Sequence, residues 1–280
     1  MSSTGTLASA WKGPLRFDTE ALEVSTPSLA VRRLQVGPWI IAHRGYRTRY
    51  PENTLCAFAA AIKAGVDMVE LDVMLTRDRK MVVIHDDTLD RTTNGRGPVG
   101  LKTLAELKKL DAGGWFDPQF AGETLPTLEE AVDLLGGRVL INIEIKRNAY
   151  EPDDPPDAVE RQLLDLVRRR GLLNSVLISS FEARLLERIA SRSDGVALAF
   201  LNRNAGEPAN IETCRKLQAF SFHPNWIELK EEHVRSFHQA GFPVFPYNAD
   251  TEEQIRRVIE TGAHGVITSD PLLAREIWAR

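Results

Sequence analysis

Three carboxylates and two histidines stand at the ends of apolar runs, where a purely structural residue would be apolar. Glu70 and Asp72 are two residues apart in DMVELDV (67–73), so the two-residue period of a strand points both side chains the same way. Two like charges there repel unless a cation joins them. Glu144, in RVLINIEIK (138–146), supplies a third oxygen ligand. A carboxylate triad without Cys or a clustered set of His favours a hard ion, Mg²⁺ or Ca²⁺, with Mn²⁺ as a substitute. The competing reading is a structural ion-pair network with Arg or Lys.

His43 closes WIIAH (39–43), and His85 lies near the end of MVVIHD (81–86). An imidazole titrates near pH 6.5, so one such ring can be neutral while its partner is charged, and the pair can divide general-base and general-acid work. Arg44 and Lys146 follow in the same belt and suit phosphate oxygens, Arg as a fork and Lys as a point charge. His223 also sits at a strand end, beside Pro224, where it either lines the same pocket or packs in the core.

These groups must be positioned by strands that are covered on both faces, because the apolar runs are continuous rather than alternating. Nine runs qualify: the four already named, SVLISSF (175–181), VALAFL (196–201), AFSFH (219–223), FPVFPYN (242–248) and GVITSD (265–270). Helical stretches separate most of them, with capping boxes at Thr103/Glu106 and Thr127/Glu130. Only MLTRDRK (74–80) lies between the second and third runs, and a parallel crossover needs about a dozen residues. That pair must be a hairpin, which returns His85 beside Asp72. The other eight strands then close into an α/β (β/α)8 barrel with a rim hairpin, and chemistry in such barrels sits at the C-terminal strand ends. Residues 87–126 become a small insertion on that rim, carrying Trp115, Phe116 and Phe120 as a wall for the site. Residues 1–37 lack either periodicity and form an arm, leaving 38–280 as the barrel domain.

Composition narrows the partners. The 280 residues carry 35 Lys+Arg against 39 Asp+Glu, a net charge of −4 that offers no broad basic face for a nucleic acid. Apolar runs reach eight residues, at Leu55–Ile62, against about 20 for a membrane span, so no stable membrane anchor is expected. Cys56 and Cys214 both fall in helical stretches and read as core residues of a reducing, cytoplasmic protein. Gly95 to Gly100 matches G-x-G-x-x-G but follows no strand and contains Pro98, so it is no dinucleotide site.

Taken in order, AHRGYRTRYPENTLCAF, VELDVMLTRDRKMVVIHDDTLDRTTNGRG, GETLPTLEEAVDLL, INIEIK, ISSF and GVITSDP resemble the signature blocks of the glycerophosphodiester phosphodiesterase family, from about 40 to 271. The resemblance implies a (β/α)8 barrel, a divalent metal on Glu70, Asp72 and Glu144, and His43 with His85 as the acid/base pair. It also implies Arg44 and Lys146 near the phosphate, Glu52 and Asn53 supporting the rim, and hydrolysis of a small-molecule glycerophosphodiester to glycerol 3-phosphate and an alcohol. Where the family commonly has Trp-Thr-Val-Asn, this chain reads Phe245-Pro246-Tyr247-Asn248, which puts the glycerol-side contact on Phe245 and Tyr247. Arg47 and Arg49, flanked by Tyr46 and Tyr50, either engage a second anionic or sugar-like part of the substrate or, as surface arginines more commonly do, pair with rim acids such as Glu52 or face water. Two rivals remain: phospholipase D-like cleavage of lysophospholipids with release of a cyclic phosphate, and a non-catalytic phosphodiester-binding protein.

Overall fold

The computed structural model describes residues 28–30, 37–193 and 195–279. The arm expected at 1–37 therefore lies outside the described residues, save 28–30 and 37. Parallel strands β1 (Trp39–His43), β2 (Met68–Leu75), β4 (Leu140–Ile145), β5 (Val176–Ser180), β6 (Ala197–Asn202), β7 (Ser221–Pro224) and β8 (Gly265–Thr268) follow one another around a curled sheet, β8 pairing with β1. The short β3 (Met81–Val83) runs antiparallel to β2, with Val73 opposite Val83. Ile84 N–H donates to the Asp72 carbonyl at 3.1 Å, which sets His85 next to the catalytic end of β2 as the hairpin requires.

The strand expected at 242–248 is not a regular one, and its prolines give the reason. Pro243 and Pro246 have no N–H, so a continuous ladder cannot form. The segment still closes the gap between β7 and β8 with single bonds. Phe245 N–H donates to Phe222 O at 3.0 Å and Tyr247 N–H to Pro224 O at 2.9 Å; from β8, Ile267 N–H donates to Pro246 O at 2.9 Å. The chain thus completes a (β/α)8 barrel with one irregular stave.

Nine α-helices are found among the described residues: α1 (Leu55–Lys63), α2 (Leu104–Leu107), α3 (Leu128–Leu135), α4 (Val159–Arg169), α5 (Ala183–Ala190), α6 (Ala209–Leu217), α7 (Glu231–Gln239), α8 (Glu252–Glu260) and α9 (Pro271–Trp278). Both expected capping boxes form, at the starts of α2 and α3. No helix among the described residues is long and apolar enough to cross a membrane. The insertion at 87–126 packs as a satellite, with Leu89, Val99, Leu107, Ala112 and Leu125 buried against Met74, Val82 and Ile84 of the hairpin.

Inside the barrel the side chains lie in layers. Ile41, Met68, Leu140, Leu177, Ala199, Phe245 and Ile267 form an apolar plug, joined from below by Leu29, whose N–H donates to Asn174 O at 2.9 Å. Two residues further along five of those staves the inward positions become His43, Glu70, Asn142, Ser179 and Tyr247. The same period of two that seals the bottom therefore lines the mouth with polar groups.

Candidate active site

Asp72 and Glu144 face each other across the β2–β4 register, and Glu70 is one inward step below Asp72. Each of the three carboxylates offers an oxygen within 4.8 Å of the others, and all three residues are buried. Burial and the charges of Asp72 and Glu144 hold the Glu70 carboxyl well above its ordinary range, and burial with Asp72 raises Glu144. Burial acts the same way on Asp72, but Arg44 and Lys146 outweigh it and keep that group low.

Those two cations support part of the ion-pair reading. Lys146 Nζ is 2.8 Å from Glu144 Oε1 and 3.4 Å from Asp72 Oδ1, and Arg44 Nε is 3.3 Å from Asp72 Oδ2. Two cations face three carboxylates, however, and Arg44 is shared with Glu52 at 2.9 Å. Glu70 Oε1 and Asp72 Oδ1 are buried without a hydrogen-bond partner. A set of buried, mutually repelling oxygens with unused lone pairs fits a hard divalent cation.

The turn after β1 is built to aim these groups. Arg44 adopts a left-handed φ of 57°, which turns its N–H onto Glu70 Oε2 at 2.9 Å. Gly45 follows at φ 84°, and a Cβ there would meet the backbone of Ala57 at 2.8 Å, so only glycine lets α1 approach so closely. Asn53, also left-handed, donates from Nδ2 to Asp72 Oδ2 at 2.9 Å. Glu52 is a buried hub. It accepts from Arg44 at 2.9 Å and from Arg91 at 2.8 and 2.9 Å, and Arg47 lies 3.5 Å away. Burial works against its charge, yet the bonds and charges of Arg91 and Arg44 hold its carboxyl low.

His43 is buried at the top of β1, with Nε2 4.0 Å from Glu70 Oε2. Burial first, then Arg44 and Arg47, keep the ring well below its ordinary pKa and hence neutral near pH 7. His85 is half-buried and donates from Nδ1 to Asp86 Oδ1 at 2.6 Å; Arg91 in turn holds Asp86 at 2.6 Å. Burial lowers the His85 pKa, while Asp72 and Asp86 oppose that shift. Asp86 and Arg91 carried no role in the sequence reading, although a charged residue directly after a strand-end histidine was visible in VVIHDD.

His43, Arg44, Glu70, His85, Glu144 and Lys146 line one cavity of about 730 Å³. Tyr247 lines it too. Phe245 does not: it is fully buried in the plug beneath, 5.2 Å from Trp39 and 5.6 Å from His223 between ring centroids. Its position on the stave explains this, since residues two apart share a direction but differ in depth. Arg47 and Arg49 are also absent from the lining, as Arg47 turns to Ser269 at 2.5 Å and to Glu52 and Asp250. No residue of 87–126 lines the cavity, so the insertion is not the wall expected of it; its Arg91 is tied to Glu52 and Asp86 beside the site. Among the lining residues outside the predicted site are three buried polar ones, Asn142, Ser179 and His223, and of the two readings open for His223 the pocket-lining one holds. Their signal was polarity inside apolar runs, as in INIEIK and ISSF.

The glycerophosphoryl diester phosphodiesterase family model matches residues 43–273. A glycerophosphodiester phosphodiesterase of Caldanaerobacter subterraneus subsp. tengcongensis is 39% identical over 234 residues, covering 83% of this chain and 94% of that protein. One from Bacillus subtilis is 33% identical, with 85% of each chain covered. Among solved structures, an Oleispira antarctica phosphodiesterase in complex with the product sn-glycerol-3-phosphate superposes with a TM-score of 0.76 at 27% identity, over 87% of this chain and 97% of that one. A glycerophosphodiester phosphodiesterase from Agrobacterium tumefaciens gives 0.74 at 28% identity, over 86% and 100%. With the fold, the carboxylate triad and the two histidines in the order its blocks require, this chain belongs to the glycerophosphoryl diester phosphodiesterase family.

Proposed function

We propose that the protein hydrolyses small glycerophosphodiesters to glycerol 3-phosphate and an alcohol, using a divalent cation and proton transfer by His43 and His85. The observation that carries this reading is the buried triad of Glu70, Asp72 and Glu144, of which Glu70 and Glu144 line one cavity together with two histidines and two cations while Asp72 stands behind them. The solved relative bound to sn-glycerol-3-phosphate supports the choice of product. Mg²⁺, Ca²⁺ or Mn²⁺ on the triad supplies positive charge that offsets the repulsion between a phosphodiester anion and an attacking oxygen. Arg44 and Lys146 point into the same space and hold the non-bridging phosphate oxygens.

His43, kept neutral by its surroundings, accepts the proton of the attacking water as the new phosphorus–oxygen bond forms. His85 donates a proton to the leaving alcohol oxygen as the old bond breaks, because the Asp86 carboxylate on its Nδ1 stabilises the imidazolium. One water is consumed and the two protons end on phosphate and alcohol. Two buried free thiols, Cys56 and Cys214, fit a cytoplasmic setting for this chemistry. Assaying a panel of diesters with and without chelator tests the reading: it predicts turnover of glycerophosphodiesters that EDTA stops.

The role given to Asp86 predicts a pH effect with a definite sign. Asp86→Asn removes the charge that favours protonated His85, so the His85 pKa falls further. If His85 must be protonated, the alkaline limb of kcat/KM moves to lower pH, by about one unit, while the acid limb set by His43 stays. A shift of the acid limb instead would exchange the two roles.

A further inference from the structure

One guanidinium outside the cavity binds two carboxylates that each lead into it. Arg91 donates from Nε to Asp86 Oδ2 at 2.6 Å and from Nη2 to Asp86 Oδ1 at 3.0 Å. Along its other edge it donates from Nη1 to Glu52 Oε2 at 2.9 Å and from Nη2 to Glu52 Oε1 at 2.8 Å. All four carboxylate oxygens are engaged, each pair by a planar fork. Asp86 in turn holds His85 Nδ1 at 2.6 Å, and Glu52 holds Arg44 at 2.9 Å. The chain His85, Asp86, Arg91, Glu52, Arg44 therefore begins and ends in the catalytic belt.

The turn that presents Arg91 is fixed by the insertion. Leu89 is fully buried in the satellite core and its N–H donates to Gly97 O at 3.0 Å. Thr93 Oγ1 donates to Leu89 O at 2.7 Å, and Asn94 and Asp111 exchange two bonds of 3.0 and 2.9 Å across the base of the turn.

The two ends of this chain do not depend on Arg91 equally. Glu52 keeps Arg44 at 2.9 Å and Arg47 at 3.5 Å whether or not Arg91 is present. Asp86 has only His85 and Arg91 as side-chain partners among the described residues, and its side chain is 26% exposed. Without the fork, water competes for that carboxylate and nothing else fixes its rotamer, so the His85 ring loses the acceptor that orients it. We propose that Arg91 is a positioning residue, through which the insertion clamps Asp86 against the barrel and keeps the His85 ring aimed for proton donation. The claim rests on the reading that His85 is the general acid. It gives the insertion a part in the reaction although none of its residues lines the cavity.

Arg91→Ala and Arg91→Lys test it in the full chain with Mg²⁺ present, on two diesters of glycerol 3-phosphate that differ only in the leaving group, choline or 4-nitrophenol. Arg91→Ala should lower kcat at least about tenfold more on the choline ester, whose alkoxide needs a proton, than on the aryl ester. The Arg91 side chain is 44% exposed, so millimolar guanidinium can enter from water and should restore the lost rate, whereas sodium at the same ionic strength should not. Arg91→Lys keeps the charge without the fork and should retain most of the defect. Equal losses on both esters, no rescue by guanidinium, or full activity of Arg91→Lys would reduce Arg91 to a fastener of the insertion or a bare charge and overturn the proposal.

A second readout does not need turnover. In ¹⁵N NMR of histidine-labelled protein, assigned with His85→Ala and recorded where the ring is neutral, His85 should carry its proton on Nδ1 in the parent. In Arg91→Ala it should relax to the mixture of tautomers found in water, and guanidinium should reverse the change. Should the parent hydrolyse neither ester, or His85→Ala show no contrast between them, the catalytic reading fails by itself and this measurement decides the positioning claim. A parent ring without the Nδ1 proton, or a tautomer unchanged in Arg91→Ala, would refute it.

Discussion

His43→Ala and His85→Ala each lower turnover of a glycerophosphodiester by about 10² to 10⁴-fold, with the fold intact by circular dichroism, because each removes one proton transfer from the transition state. The two variants should differ in a way that identifies their roles. A 4-nitrophenolate leaving group departs without a proton, so an aryl diester has little need of a general acid. His85→Ala should therefore lose far less on the aryl diester than on an alkyl one, whereas His43→Ala should lose heavily on both, since water must be deprotonated in either case. Wild-type rates in His85→Ala with saturating Mg²⁺ would return His85 to a structural role as the partner of Asp86.

Chelation should abolish turnover, and Mg²⁺, Ca²⁺ or Mn²⁺ should restore it. The physical basis is the repulsion within the triad: Glu70 is pushed up by burial and by Asp72 and Glu144, and a bound cation would relieve three buried carboxylates whose nearest Lys and Arg partners are Arg44 and Lys146. A ligand that binds the folded state alone stabilises it by about 2.7 kcal/mol at 100 times its Kd. Mg²⁺ should thus raise the melting temperature of the parent protein. In Glu144→Gln, which keeps the shape but removes a charge, that rise should shrink sharply and turnover should fall with it. Full activity in excess EDTA after dialysis, or an unchanged Mg²⁺ shift in Glu144→Gln, would remove the cation from the account.

How far the site could be read in advance follows from which forces are local. The carboxylate pair on β2, Glu144 on β4 and the strand-end histidines were legible because a strand's period of two converts spacing directly into direction. The hairpin at 74–80 was legible because chain length alone forbids a parallel crossover there. Depth was not legible. Phe245 and Tyr247 share one direction, yet only Tyr247 reaches the cavity, and the register that decides this depends on how the proline-interrupted stave meets β7 and β8. Long-range pairing was hidden as well. Arg47 is adjacent in sequence to aromatic residues but bonds to Ser269, 222 residues away, and Arg91 reaches back 39 residues to Glu52. Asn142, Ser179 and His223 show the same limit from the other side, since a polar residue in an apolar run is visible whereas atoms left unpaired on it, such as His223 Nδ1, are a property of the closed barrel.

The most direct test of metal-dependent hydrolysis is phosphorus NMR of a glycerophosphodiester incubated with the protein and Mg²⁺ in ¹⁸O-enriched water, with an EDTA control. The account predicts glycerol 3-phosphate carrying one solvent oxygen, no cyclic phosphate at any time point, and no product in EDTA. A cyclic phosphate would show that a substrate hydroxyl and not water attacks phosphorus, and product formed in EDTA would show that the triad does its work without a cation.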